Sequence, residues 1–303
     1  MSRNCKIIST YFGERHNYPY NYEDTIEVLN DLIKHETNID PGVDNLDIVL
    51  VNHDCHNKEG NNFINSLEGT DVYCGKVRVI HRSWDNGVGV SFASFDYAFK
   101  ELVNEYDYWF FQEDDYKIMT PGYYGIGIGL LDSNDDVAFI GYDTIGPSRT
   151  SIPALKILKL ISKPFIKWYG YGGYIKKYST IINRAIKLLK GGNIINSGGG
   201  MGLTSKDYLV KVIEYNGHLP YSDIPNPRHN KKFVRYEGNE TPGYTSYPLW
   251  KFFKYNRFFV WYWVNVVLCE IHFTMVYYDI GYKIMEYPNQ GNMIYSYKID
   301  SKR

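Results

Sequence analysis

Three consecutive carboxylates, Glu113-Asp114-Asp115, close an aromatic run, Tyr108-Trp109-Phe110-Phe111-Gln112, that reads as a buried strand. Crowded carboxylates repel one another, and taking them out of water is costly unless a cation or hydrogen-bond donors compensate. A hard divalent metal at the carboxyl end of the strand resolves the conflict. An acidic turn open to water is the alternative. Two more apolar runs end in polar clusters: Lys6-Ile7-Ile8 leads to Ser9-Thr10, and Asp47 to Val51 leads to Asn52-His53-Asp54. Ligands of open, mostly parallel sheets bind beyond the carboxyl ends of the strands. Clusters at three such ends describe a site better than chance does.

The elements that must position these residues alternate. Lys6 to Tyr11, Asp47 to Val51, Lys76 to Ile80 and Asp107 to Phe111 read as strands. Glu23 to His35 reads as a helix with Ile26, Leu29, Leu32 and Ile33 on one face. Ser91 to Tyr106 reads as another, with Phe92, Phe95, Phe99 and Leu102 as its stripe. Such alternation predicts an α/β fold with a mostly parallel central sheet flanked by helices. Beyond Asp143 the pattern loosens. Ala138 to Gly141 reads as a strand, and a basic stretch broken by Pro153 and Pro164 follows. The glycine-rich Asn196 to Thr204 then leads into a helix over Lys206 to Tyr215, capped by Ser205, and His218 to Tyr247 reads as a long loop.

The 303 residues suffice for one large domain, and the net charge of −1 hides a segregation. Between Asn104 and Asp143 stand nine acidic residues and one basic, whereas between Thr150 and Lys190 stand nine basic and no acidic. A near-neutral chain with no recognised module argues against nucleic-acid binding. The four cysteines, Cys5, Cys55, Cys74 and Cys269, form no CxxC pair, which fits a reducing cytoplasm. No secretory signal opens the chain, and the longest apolar run, Phe258 to Leu268, is shorter than the roughly 20 residues a membrane span needs. Residues 155–167 and 251–263 mix cations with apolar or aromatic side chains. They read either as peripheral membrane contacts or as core helices with snorkelling lysines.

These residues resemble the GT-A (Rossmann-like) fold of nucleotide-sugar glycosyltransferases, most closely the family-2 type. The resemblance covers Lys6 to Gly141, then Ser197 to Gly217 and Glu270 to Ile284. It implies one continuous GT-A domain, with residues 1–143 as the donor-binding half. Residues 144–303 would form the acceptor-side half, carrying an inserted basic and aromatic region. It assigns Thr10 to the nucleobase, with Asn52 and Asp54 competing for the base and ribose. Arg82-Ser83-Trp84-Asp85-Asn86-Gly87-Val88-Gly89 looks like the family's N-x-G loop, which places Arg82, Asn86, Gly87 and Gly89 beside the donor. Glu113-Asp114-Asp115 matches a D-x-D type motif: Asp115 would hold Mn²⁺ or Mg²⁺, and Glu113 and Asp114 would reach ribose, sugar or metal. Gly199, Gly200 and Met201 fall on acceptor-side contacts.

Cys269-Glu270-Ile271-His272 with Gly281-Tyr282 resembles the family's catalytic helix, which puts Glu270 on the general base. As a residue opening a helix, Glu270 would equally offset the helix dipole. His272 falls where a few relatives place a metal ligand, although a packed or solvated histidine has the same sequence signature. The implied function is metal-dependent transfer of a sugar, with inversion, from a nucleoside-diphosphate sugar to a hydroxyl of a glycan or lipid-linked acceptor. A non-catalytic nucleotide- or carbohydrate-binding protein on the same fold is the alternative. A sugar-phosphate nucleotidyltransferase comes last, because Tyr11-Phe12-Gly13-Glu14-Arg15 has too few glycines for its loop.

Overall fold

A computed structural model describes residues 2–12, 22–54, 57–83, 90–145, 152–168, 170–191, 194–197, 200–224, 264–288, 290 and 293–297. Strands β1 (Asn4–Tyr11), β2 (Asp47–Asp54), β3 (Val77–Ser83) and β4 (Tyr108–Glu113) pair in parallel in the order β4-β1-β2-β3. The apolar runs of β1, β2 and β4 are buried on both faces, as parallel strands between helix layers must be, whereas the edge strand β3 is mostly half-buried. Helices α1 (Tyr22–Asn38), α2 (Lys58–Ser66) and α3 (Val90–Leu102) make the crossovers. The α3 stripe of Phe92, Phe95, Phe99 and Leu102 lies buried as its spacing predicts.

The short strand β5 (Tyr116–Ile118) and helix α4 (Tyr123–Asp132) lead to β6 (Val137–Gly141) and β7 (Thr144–Ile145). Helices α5 (Ile152–Trp168) and α6 (Ile175–Lys190) occupy the basic stretch. They are followed by β8 (Asn196–Ser197), β9 (Gly202–Ser205) and α7 (Lys206–Asn216). Helical residues 264–279 comprise a π turn at Val267–Ile271 and α8 (His272–Asp279), and β10 (Lys283–Glu286) and β11 (Ile294–Ser296) complete the described elements.

The seven-stranded sheet runs β10-β6-β9-β4-β1-β2-β3, and it departs from the parallel expectation at one place. There β9 lies antiparallel between β4 and β6. A Cβ on Gly202 of β9 would sit 2.2 Å from the Ile140 carbonyl oxygen and 2.4 Å from the Phe139 ring, so only glycine fits this slot. Ser205 occupies the N-cap position of α7, yet its side chain makes no capping bond. The Lys206 amide instead donates to the Asp107 carbonyl at 2.7 Å, tying the helix to the start of β4.

One apolar layer joins the sheet to α1, α2 and α4, and a second joins it to α3, α7 and α8. A third cluster unites α5, α6 and the π turn outside α8. Among the described residues no helix is long and apolar enough to cross a membrane.

Tyrosine is a large part of this core. Tyr123, Tyr124, Tyr142 and Tyr277 are fully buried, and burial holds each phenol far above its ordinary pKa. Tyr178 is pushed up to about 12 by the same cause. A folded-state pKa above the unfolded value of roughly 10 gives stability that is complete below that pH and lost as pH rises towards the folded value. Base titration should therefore show a first group of exposed tyrosines ionising near pH ~10. A second group should ionise only together with loss of the circular dichroism signal. A single smooth tyrosinate absorbance transition in folded protein would contradict this burial.

Candidate functional site

Parallel register places the carboxyl ends of β1, β2, β3 and β4 on one rim: Ser9 pairs with Glu113, Thr10 with Asn52, and Tyr11 with His53. On β3, His81 and Arg82 lie opposite Asn52 and His53. Alternation along each strand sends these side chains to opposite faces of the sheet.

On the α3 face, the Ser9 hydroxyl lies 3.1 Å from both His53 Nε2 and Ser94 Oγ, and Ser94 Oγ also meets His53 Nε2. The Arg82 guanidinium donates to His53 Nδ1 at 3.2 Å. Arginine cannot accept, so the imidazole proton sits on Nε2 and faces the two serines. At the mouth of α3, Ser91 donates to Glu113 Oε1 at 2.7 Å.

On the α2 face, the Asn52 amide nitrogen donates to Asn61 Oδ1 at 2.7 Å and to His81 Nδ1 at 3.2 Å. His81 Nε2 then bonds Asn65 Oδ1 at 2.7 Å. These bonds fix the amide of Asn52 with its oxygen free. Among the described residues Thr10 Oγ1, Asn52 Oδ1 and Gln112 Oε1 are buried without a hydrogen-bond partner. All three belong to this face, on adjacent strands. Buried polar atoms of this kind call for an ordered water or a ligand.

The acidic turn is not the solvated turn that the sequence allows, because Asp114 and Asp115 are only 3% and 4% exposed. It is built rigidly. The Gln112 side chain donates to the Tyr116 carbonyl at 2.7 Å, closing the turn. Strand β11 pairs with β5, and the Tyr297 amide donates to the Asp115 carbonyl at 3.1 Å.

Glu270 does not open a helix, as the sequence suggests, but lies inside the π turn of helical residues 264–279. The extra residue of a π turn lets Val267 and Leu268 pack against α6 while Phe273 and Val276 pack on the sheet. Glu270 is left half-buried between them. Helix α8 leads into β10, which runs parallel to β6, so its amino end lies towards the carboxyl rim. Thr274 anchors it there, donating to Asn196 Oδ1 at 2.6 Å and accepting from the Ser197 amide at 3.2 Å. Burial, and then the fields of Glu113 and Asp143, push the Glu270 carboxyl up to about 8. Carboxylates of β4 and of the turn after β6 thus lie within electrostatic reach of the one in the π turn.

His272 opens α8, directly after the π turn. It is buried, and the charges acting on it are those of Lys177, Arg184 and His218, which add to burial in lowering its pKa to about 4. Positive neighbours of this kind weigh against a dication at His272. Met201 is 3% exposed and packs in the core on the α4 side. Gly200 has φ +69°, and a Cβ there would meet the Phe92 ring at 2.6 Å. The backbone of Asp54 ends β2, with its side chain outside the described residues, as are Asn86, Gly87, Gly89, Gly199 and residues 251–263.

Among the described residues no group of three or more His, Cys, Asp and Glu is placed to hold a metal ion. Magnesium-type sites commonly use one or two carboxylates plus substrate phosphates, and the hard oxygens of Glu113 and Asp115 suit that role. Sequence reasoning missed Asp143, Ser91, Ser94 and His81. Asp143 carries a signal, as an acid two residues past the end of a strand. The others become legible only when α3 and β3 are packed against the rim.

No protein-family model matches the chain, and no curated protein matches it. Fifteen solved chains do. One is the apo structure of the bifunctional glycosyltransferase WbbM, 14% identical with a TM-score of 0.33, over 69% of this chain and 32% of that chain. This chain therefore spans about a third of that structure. A likeness of this size bears no argument about chemistry, which rests on the side chains above.

Proposed function

We propose that the chain is a glycosyltransferase that moves a sugar from a nucleoside-diphosphate sugar to a hydroxyl of a glycan or lipid-linked acceptor. The observation that carries the reading is the placement of Glu270, in the π turn at the amino end of α8, beside the carboxyl rim where β4 ends in the acidic triplet and within electrostatic reach of Glu113 and Asp143. A proton acceptor beside an acidic, rigidly held turn is what attack by a hydroxyl on an anomeric carbon requires. Glu270 takes the hydroxyl proton as the acceptor oxygen bonds to the anomeric carbon. The bond from that carbon to the diphosphate oxygen breaks, and configuration inverts.

Asn52 and Thr10 receive the nucleobase. With its amide nitrogen committed to Asn61 and His81, Asn52 offers an acceptor oxygen as an aspartate would. Glu113 and Asp115 would hold Mn²⁺ or Mg²⁺. That cation, when bound, supplies positive charge against the charge growing on the departing diphosphate. Ser91 orients Glu113 for this task through its hydroxyl.

Thermal unfolding with UDP, GDP, dTDP and CMP, each with and without Mn²⁺, tests the reading. A nucleotide at about 100 times its dissociation constant should stabilise the chain by roughly 2.7 kcal/mol. The shift should need the metal and vanish in Asp115→Asn. If no nucleotide stabilises the native chain, the donor site is not where we place it.

A further inference from the structure

The two helices of the basic stretch obey different patterns. In α6 the apolar residues Tyr178, Ile181, Ile182 and Ala185 face inward, and Lys176, Lys187 and Lys190 face water. Helix α5 also buries one stripe, Leu155, Ser162 and Ile166. Its opposite pole, however, is apolar: Ile157, Leu160 and Trp168 are 58%, 75% and 75% exposed, with Pro164 exposed between them. Lys156, Lys163 and Lys167 are exposed along one flank of that pole, spaced as neighbouring helical turns require. Single exposed apolar residues are ordinary, but a continuous stripe over the whole of a helix marks a surface that something covers.

Charge decides what that is. Residues 150–190 hold nine cations and no acid. A second copy of this face would set lysine against lysine. We propose that α5 docks on an anionic bilayer surface, laying Ile157, Leu160, Pro164 and Trp168 into the interface with Lys156, Lys163 and Lys167 on lipid headgroups. Tryptophan favours the interface between acyl chains and water, and an apolar pole flanked by lysines is the composition of helices that lie in that plane. Helix α5 packs on α6, and α6 packs on the π turn that carries Glu270, so docking brings that side of the molecule to the lipid. The inference does not depend on sugar transfer, and its test reads lipid binding alone.

The full chain is sedimented with vesicles of phosphatidylcholine, and with vesicles of phosphatidylcholine and phosphatidylglycerol. Pelleting is expected with the anionic vesicles and should decline with salt. Leu160→Glu and Trp168→Glu alter exposed positions and should fold normally by circular dichroism. Each should weaken vesicle affinity by about 10- to 100-fold, the scale of losing one large apolar anchor. Lys156→Glu with Lys163→Glu should remove the preference for anionic lipid. Absence of pelleting at low salt overturns the proposal, as does pelleting unchanged by Leu160→Glu and Trp168→Glu. A dimer that Leu160→Glu splits, without vesicle binding, assigns the face to a second copy instead.

Discussion

Glu270→Gln is expected to lower turnover by about 10²- to 10⁴-fold while donor binding, read by nucleotide-dependent thermal stabilisation, stays nearly unchanged. The substitution keeps the shape of the side chain in the π turn and removes its capacity to take a proton. It should not unfold the chain. Burial, Glu113 and Asp143 raise the folded-state pKa of Glu270 to about 8, above its unfolded value. Its contribution to stability is thus complete below the unfolded pKa and is lost as pH rises through the folded one. The neutral glutamine escapes that loss, so in metal-free protein at mildly alkaline pH the variant should be at least as stable as the parent. A stable, donor-binding, inactive variant isolates the proton transfer. Near-normal turnover would remove Glu270 from the mechanism. If the native chain binds donor but moves no sugar and hydrolyses none, the same site serves binding without catalysis.

The first half of the fold is readable because its strands are apolar runs with polar ends and its helices carry a single stripe. Phe92, Phe95 and Phe99 announce α3 by their spacing, and Glu113 marks the end of β4 by its charge. Strand β9 is not readable in this way, because Gly202-Leu203-Thr204-Ser205 is short and glycine-led. It is made a strand by the gap between β4 and β6 and by the backbone approach of Ile140. The π turn is equally silent in the sequence. Its reason is that one helix must serve two cores, with Val267 and Leu268 on α6 and Phe273 on Phe92, Phe111 and Phe139. The rim clusters are visible as residue types. The partnerships of Ser94 with His53, and of Asn52 with Asn61 and His81, depend on register and crossover packing, which periodicity does not encode.

Removing Glu36 alone should destabilise the fold by about 3–5 kcal/mol, a large share of the roughly 5–15 kcal/mol that a domain has. Lys6 is fully buried on β1, and its ammonium donates to Glu36 Oε1 of α1 at 2.6 Å and to the Tyr123 hydroxyl at 3.2 Å. It also lies 4.9 Å from the centre of the Tyr123 ring. Burial lowers the pKa of Lys6 while Glu36 opposes the shift. In Glu36→Leu the opposing charge is gone and the folded-state pKa falls further. The unfolded chain then binds more protons than the folded one, so the penalty is greatest at acid and neutral pH and shrinks as pH rises towards ~10. Denaturant midpoints measured across that range would show it.

Replacing both partners, Lys6→Met with Glu36→Leu, removes the buried charge and should recover part of the loss. Recovery stays incomplete because the Tyr123 hydroxyl, which also reaches Glu36 Oε2 at 3.4 Å, is left buried without those partners. A buried hydroxyl stripped of its partners costs about 1–3 kcal/mol. Adding Tyr123→Phe should return most of that cost. A double variant no more stable than Glu36→Leu, and unmoved by Tyr123→Phe, would mean that shape rather than charge fixes this junction of β1, α1 and α4.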